Sequence, residues 1–262
     1  MRNSIHPDIL LECAVGAARE AGTHALRNLH RRGETLRRSD HDVKLKLDVE
    51  CQEKALAAIS ARFPDHAILG EEDLDETPPD ASGETLQWVV DPIDGTVNFS
   101  HGYPLWCCSV AVRRGEDVLA GAVYAPALDK LFTASIEDQS RCNGEPIHVS
   151  HVGSLGSALI FTGTNRVVPA GWKSGELFQR IAATAQRPRI DGAAALDVCR
   201  VACGQADGYI ESGIYLWDVA AAGLIVRRAG GRAEKLYDLQ GGALIFAASN
   251  GLIHAQLKAL AG

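Results

Sequence analysis

The feature that most narrows what this chain can fold into is a short apolar run, residues 86–90. It ends on Asp91-Pro92-Ile93-Asp94-Gly95-Thr96. A run of that length and composition reads as a buried strand, and it delivers Asp91 to a sheet edge. Pro92 fixes φ and stiffens the turn. Asp94 follows three residues later, close enough to aim at the same cation. Gly95 lets a ligand approach the backbone. A helical turn opening at residues 94–96 would point N–H groups outward, as anion sites require. Carboxylates beside such N–H groups suit a metal ion bridging to a phosphate, and hard cations such as Mg2+ take these oxygen ligands. An Asp-Gly pair alone is an ordinary turn former.

Two further acidic clusters meet loops in the same way. Glu71-Glu72 follows a strand expected at residues 66–70. Asp218 follows Trp217 at the start of a helix expected at 218–229, where a lone Asp is most simply a cap. Two ions roughly 3.5–4 Å apart need several carboxylates, one of them shared. Glu71, Asp91, Asp94 and Asp218 form such a set.

The rest of the chain reads as a mixture of elements. Pro7 opens a long helix with apolar residues at helical spacing. Arg31, Arg32, Arg37 and Arg38 follow in an expected polar loop. A second helix is expected at 48–62, with Asp48 near its start and Phe63-Pro64 closing it. Residues 77–83 read as a loop. Residues 107–136 read as a three-stranded meander, and Asn143-Gly144 as a turn. The small-residue stretch 153–157 divides an N-terminal half, 1–152, from a C-terminal half, 153–262, of one compact catalytic unit. The second half is expected to hold a strand at 158–163, helices at 175–186 and 193–203, a strand at 208–211 and the 218–229 helix. A strand, an Asn250-Gly251 turn and a short helix close it. Without regular βαβ alternation, this is an α+β fold in layers.

The 262 residues can bury a large core. A net charge of −7 gives no push toward nucleic acid or anionic membranes. Seven cysteines without a CxxC pair read as buried apolar residues in a reducing cytosol, so a cytoplasmic location is expected. Residues 1–11 carry no signal-peptide pattern, and no stretch approaches the roughly 20 apolar residues of a membrane span.

Three motifs together resemble the inositol monophosphatase family of Mg2+-dependent, lithium-sensitive phosphatases. They are Gly70-Glu71-Glu72, the run from Trp88 through Asp91-Pro92-Ile93-Asp94-Gly95-Thr96 to Phe99, and Trp217-Asp218 running to Ala229-Gly230-Gly231. They stand in the family's order and, with their flanks, span nearly the whole chain. The resemblance implies a layered α/β/α/β/α sandwich, usually dimeric. It implies that Glu71 and Asp91, with the Ile93 carbonyl, hold one Mg2+. Asp91, Asp94 and Asp218 would hold a second, and a weaker third ion would rest on Glu71. It gives the N–H groups of Gly95 and Thr96 to the phosphate, and Asp48 with the Thr96 hydroxyl to the attacking water. Glu211 and the helix start at Gly192-Ala193-Ala194 would line the substrate pocket, beside Asp94 and Asp218.

The chain departs from the better-known members at Lys44-Leu45-Lys46-Leu47, where small and hydroxylated residues stand, and at Ala193, where a hydroxylated residue is common. The plain reading of Lys44 and Lys46 is solvation; contact with a second substrate phosphate is the other. His101 either borders the pocket or sits on a surface loop. Cys107 and Cys108 read as core. The expected reaction is hydrolysis of a small phosphate monoester, myo-inositol 1-phosphate first. Fructose 1,6-bisphosphate, histidinol phosphate and nucleotide phosphates are alternatives. A role of another class, binding RNA or the transcription machinery as some bacterial relatives do, finds no help in the acidic balance.

Overall fold

A computed structural model describes residues 5–38, 43–73, 85–163, 169, 172, 173 and 175–262. The expected loop at 77–83 lies outside these residues. The first helix, α1 (Pro7–Arg27), buries Leu10, Ala14, Ala17, Ala18 and Ala21 on one face. Small residues there let α2 (Lys46–Arg62) pack closely beside it. Between them runs a two-stranded ribbon, β1 (Thr35–Arg38) with β2 (Val43–Leu45). The polar loop expected around Arg37 and Arg38 is therefore a strand, with Leu36 exposed on β1 while Leu45 of β2 is buried in the core.

Both helices lie on a seven-stranded sheet: β3 (Ala67–Gly70), β4 (Leu86–Asp94), β5 (Cys107–Arg114), β6 (Asp117–Ala125), β7 (Lys130–Ser135), β8 (Arg141–Cys142) and β9 (Glu145–Pro146), in that order. The β3–β4 pair is parallel and the other pairs are antiparallel. A six-residue helix, α3 (Thr96–His101), follows β4.

A second sheet has the order β11 (Arg187–Arg189), β10 (Leu159–Phe161), β12 (Gly208–Ile214), β14 (Leu244–Ser249) and β13 (Arg232–Asp238). Helices α5 (Ala194–Ala202) and α6 (Leu216–Arg228) lie between the two sheets, while α4 (Glu176–Thr184) and α7 (His254–Lys258) cover the outer face of the second. The layers are α/β/α/β/α. Helix α6 touches both sheets, which is why Trp217, Val219 to Val226 and Ala229 are all buried. A helix apolar on every side must be covered on every side. The chain's end holds two strands rather than the single one expected. Strand β13 escapes detection because Arg232-Ala233-Glu234-Lys235 alternates only weakly and lies at the sheet's edge. Among the described residues no helix is long and apolar enough to cross a membrane.

Candidate metal centre

Strand β4 does not stop at Val90; it continues through Asp94 with every residue buried. Asp91 pairs with Ser109 and Asp94 with Cys107, so three steps along β4 match two along β5. That is a bulge. In a regular strand, residues three apart face opposite ways; one extra residue returns them to the same side. Pro92, which cannot donate to a ladder, occupies the irregular stretch. Gly95 follows at φ 89°, in the left-handed region that favours glycine. A Cβ there would also crowd the Leu105 carbonyl at 3.0 Å. This strained corner starts α3, and the Thr96 hydroxyl closes it by donating to the Ile93 carbonyl at 3.0 Å.

Asp94 is held from the other half of the chain. The N–H groups of Ala194 and Ala195 donate to its two oxygens at 3.0 and 2.8 Å, and the Cys107 thiol donates at 3.3 Å. Helix α5 has no capping side chain of its own. Asp94 caps it from a hundred residues away, with the helix dipole favouring the negative charge. Asn98 reinforces this seam by donating to the carbonyls of Leu105 and Asp191, each at 2.7 Å.

Asp218 is the third residue of α6 rather than its cap. One of its oxygens accepts the Tyr215 N–H at 2.7 Å. Asp48 occupies the same place in α2 and accepts the Leu45 N–H at 2.7 Å. Each helix start fixes its carboxylate through one oxygen. The Ser109 hydroxyl, opposite Asp91, donates to the Trp217 carbonyl at 3.2 Å and ties the start of α6 to the sheet.

These constraints converge. Carboxylate oxygens of Asp91, Asp94 and Asp218 lie within 4.8 Å of one another. Glu71 reaches Asp91 closely enough to share a proton with it. Burial pushes the pKa of Glu71 and Asp91 well above the carboxylate range, with repulsion from Asp218 adding for Glu71 and from Glu71 and Asp94 for Asp91. Burial raises Asp94 to about 6, the Cys107 and α5 donors opposing it, and raises Asp218 to about 8, with Asp94 adding repulsion. Asp91 Oδ1 is buried without a hydrogen-bond partner among the described residues. Buried carboxylates this close, with an orphaned oxygen among them, fit a hard divalent cation.

Around this centre the other expected residues sort by distance from it. Glu211 on β12 is buried, accepts the Tyr209 hydroxyl at 2.8 Å, and is raised by burial to about 7. A Cβ on Gly163 would stand 1.9 Å from its carboxylate, so that glycine is the space Glu211 occupies. Ala194 joins the centre through its N–H and Ala193 packs against Gly95. His101 is exposed. Burial pushes the Cys107 and Cys108 thiols up, which suits no nucleophile.

The roles of three contributors escaped the sequence reading. Cys107, Ser109 and Asn98 act on carbonyls or on Asp94 through distant contacts that local spacing does not announce. Lys44, expected in solvent or on a substrate phosphate, keeps 37% of its side chain exposed and also forms an ion pair with Glu72. Lys46 lies 4.0 Å from Glu34.

Comparison with known proteins accords with this geometry. The chain matches the model of the inositol monophosphatase family over residues 6–261. It is 35% identical to an inositol monophosphatase of Dictyostelium discoideum over 230 residues, 86% of this chain and 84% of that one. It is 34% identical to a Pasteurella multocida protein named Nus factor SuhB, covering 85% and 83% of the two chains. The structure of inositol monophosphatase from Anabaena superposes with a TM-score of 0.82 at 30% identity, over 97% of this chain and 95% of that one.

Proposed function

This chain belongs to the inositol monophosphatase family and is a phosphatase; from that premise we propose that it hydrolyses a small phosphate monoester with Mg2+, myo-inositol 1-phosphate being the first substrate to try. The convergence of Asp91, Asp94 and Asp218, with Glu71 against Asp91, carries the reading.

Glu71 and Asp91, with the Ile93 carbonyl, would hold one ion; Asp91, Asp94 and Asp218 would hold a second, and Glu71 alone a weaker third. Mg2+, when bound, supplies Lewis acidity to phosphoryl oxygens and lowers the pKa of water. The N–H groups of Gly95 and Thr96 would face the phosphate. Thr96 Oγ1 already donates to Ile93, so toward an attacking water it is an acceptor. Asp48, fixed through one oxygen by Leu45, would accept the other water proton. In-line attack then needs no covalent intermediate on the protein. Glu211 and the Ala194 end of α5 would contact the departing alcohol, and the family's usual homodimer belongs to the same reading.

The test is phosphate release with and without Mg2+. Asp91→Asn should lower it at least a hundredfold, because the shared carboxylate is lost; full activity in that variant would remove the metal reading. Glu211→Ala should change relative kcat/KM across a panel of inositol, fructose, histidinol and nucleotide phosphates, and an unchanged profile would separate Glu211 from substrate choice.

The similarity to a protein named Nus factor SuhB favours a second, additional reading, contact with the transcription machinery. Binding of an RNA polymerase preparation by Asp91→Asn, which lacks catalysis but keeps its surface, checks it.

A further inference from the structure

Lys44 stands at the Glu71 end of the carboxylate cluster. Its ammonium lies 2.5 Å from Glu72 Oε2 and donates to the Glu72 carbonyl at 3.3 Å. Asp48 and Glu71 act on the same ammonium from nearby, and the three carboxylates raise its pKa, Glu72 most. Glu72 is itself nearly buried and its N–H donates to the Gln52 side chain at 3.0 Å. Gln52 lies one turn beyond Asp48 on α2, so one helix face presents both to the turn at Gly70-Glu71-Glu72. That turn is thus clamped from α2 by Gln52 and from β2 by Lys44.

Among the described residues the opposite end of the cluster shows no such ion pair. Asp94 and Asp218 are held by backbone N–H groups, and Asp94 also by a thiol. Partial charges on N–H groups do not cancel a carboxylate, whereas an ammonium at ion-pair distance cancels one full charge. The centre is electrically lopsided.

We propose that Lys44 is a resident counter-cation of the metal centre, a positioning residue that holds Glu72 aside and lowers the affinity of the Glu71 end for divalent metal. The proposal rests on the metal-dependent reading above. It assigns to Lys44, which is still partly exposed, a role other than contact with a substrate phosphate. Its charge competes with an incoming cation for the same carboxylates, so metal at Glu71 binds against repulsion. Lys46 does not take this place, since it lies toward Glu34.

The probe is Mn2+ alone, titrated into metal-free protein and followed by the loss of the free-ion electron-spin signal. Wild type, Lys44→Met and Lys44→Arg are compared, with thermal melts confirming that each is folded. Lys44→Met should reach half-saturation at roughly tenfold lower Mn2+ than wild type. Lys44→Arg, which keeps the charge, should stay within about twofold of wild type. A Lys44→Met midpoint equal to or above the wild-type one overturns the proposal. Failure of wild-type protein to take up Mn2+ at all would instead overturn the metal-dependent reading, so the two failures are distinct.

Discussion

At the scale of single residues, burial has a chemical signature beyond the proposed metal ligands. Asp197 on α5 is buried, its Oδ1 has no partner among the described residues, and burial raises its pKa to about 9, with Asp191 adding repulsion and Arg200 opposing it. It is therefore protonated in the folded state at neutral pH and ionised in the unfolded chain above about pH 4. The folded state binds more protons over that interval, so stability falls as pH rises. The contribution is whole below about pH 4 and gone once pH passes 9. Asp197→Asn keeps the shape and removes the titration. Melting temperatures of metal-free protein at pH 6 and pH 9 should fall steeply for wild type and less for the variant; parallel falls would show that Asp197 is not the titrating group. Nothing in the sequence separates Asp197 from a solvated helical Asp, because its burial is set by α5 lying between two sheets. Asp91, by contrast, was legible at once: an apolar run before it and Pro after it leave few other conformations.

At the scale of elements, helix α5 is read easily from its apolar spacing, but its purpose is not. The sequence places Gly192-Ala193-Ala194 at a helix start; it does not say that Asp94 is the cap. Ala194 offers a clean test, because proline is tolerated at the first helical position and lacks only the N–H. Ala193 already has the extended backbone that precedes a proline comfortably. Ala194→Pro should leave circular dichroism unchanged while deleting the donor to Asp94 Oδ1. A lost hydrogen bond to a charged group weakens the site by about 1.5–3 kcal/mol, so kcat/KM should fall roughly ten- to a hundredfold. Wild-type activity in a folded Ala194→Pro protein would mean that the α5 start does not hold Asp94 for catalysis. Strand β1 was missed at this scale because its exposed Leu36 and Arg37 look like a polar loop, whereas the alternation at residues 44–47 does read as a strand and β2 covers its first part.

At the scale of the whole molecule, the centre is assembled from the seven-stranded sheet and the helix layer beside it, so binding of the proposed metal would be thermodynamically linked to the fold. Asp91 and Asp94 come from β4, Asp218 from α6 and Glu71 from the turn that follows β3. Bringing them together without a cation is unfavourable, as their raised pKa values record. A ligand at about a hundred times its dissociation constant stabilises the folded state by roughly 2.7 kcal/mol. For a chain of this size that is an increase in melting temperature of about 5 °C or more. Mg2+ should produce such a shift in wild type and a much smaller one in Asp91→Asn, read by differential scanning calorimetry. The layer order itself was foreseeable from the family motifs. The pairing of halves through Ser109, Asn98 and Asp94 was not, since each is a contact between residues about a hundred apart.

The bulge in β4 has an evolutionary consequence. Asp91 and Asp94 share a side because an odd number of steps on one strand is matched by an even number on the next. The identities of Pro92 and Ile93 can drift under selection, but their number cannot. Removing or adding one residue there inverts the parity and sends Asp94 away from Asp91, toward the opposite face. This hexapeptide is thus a ruler as much as a ligand set. In any descendant of this chain that keeps the chemistry, insertions and deletions should be excluded from it even where substitutions accumulate.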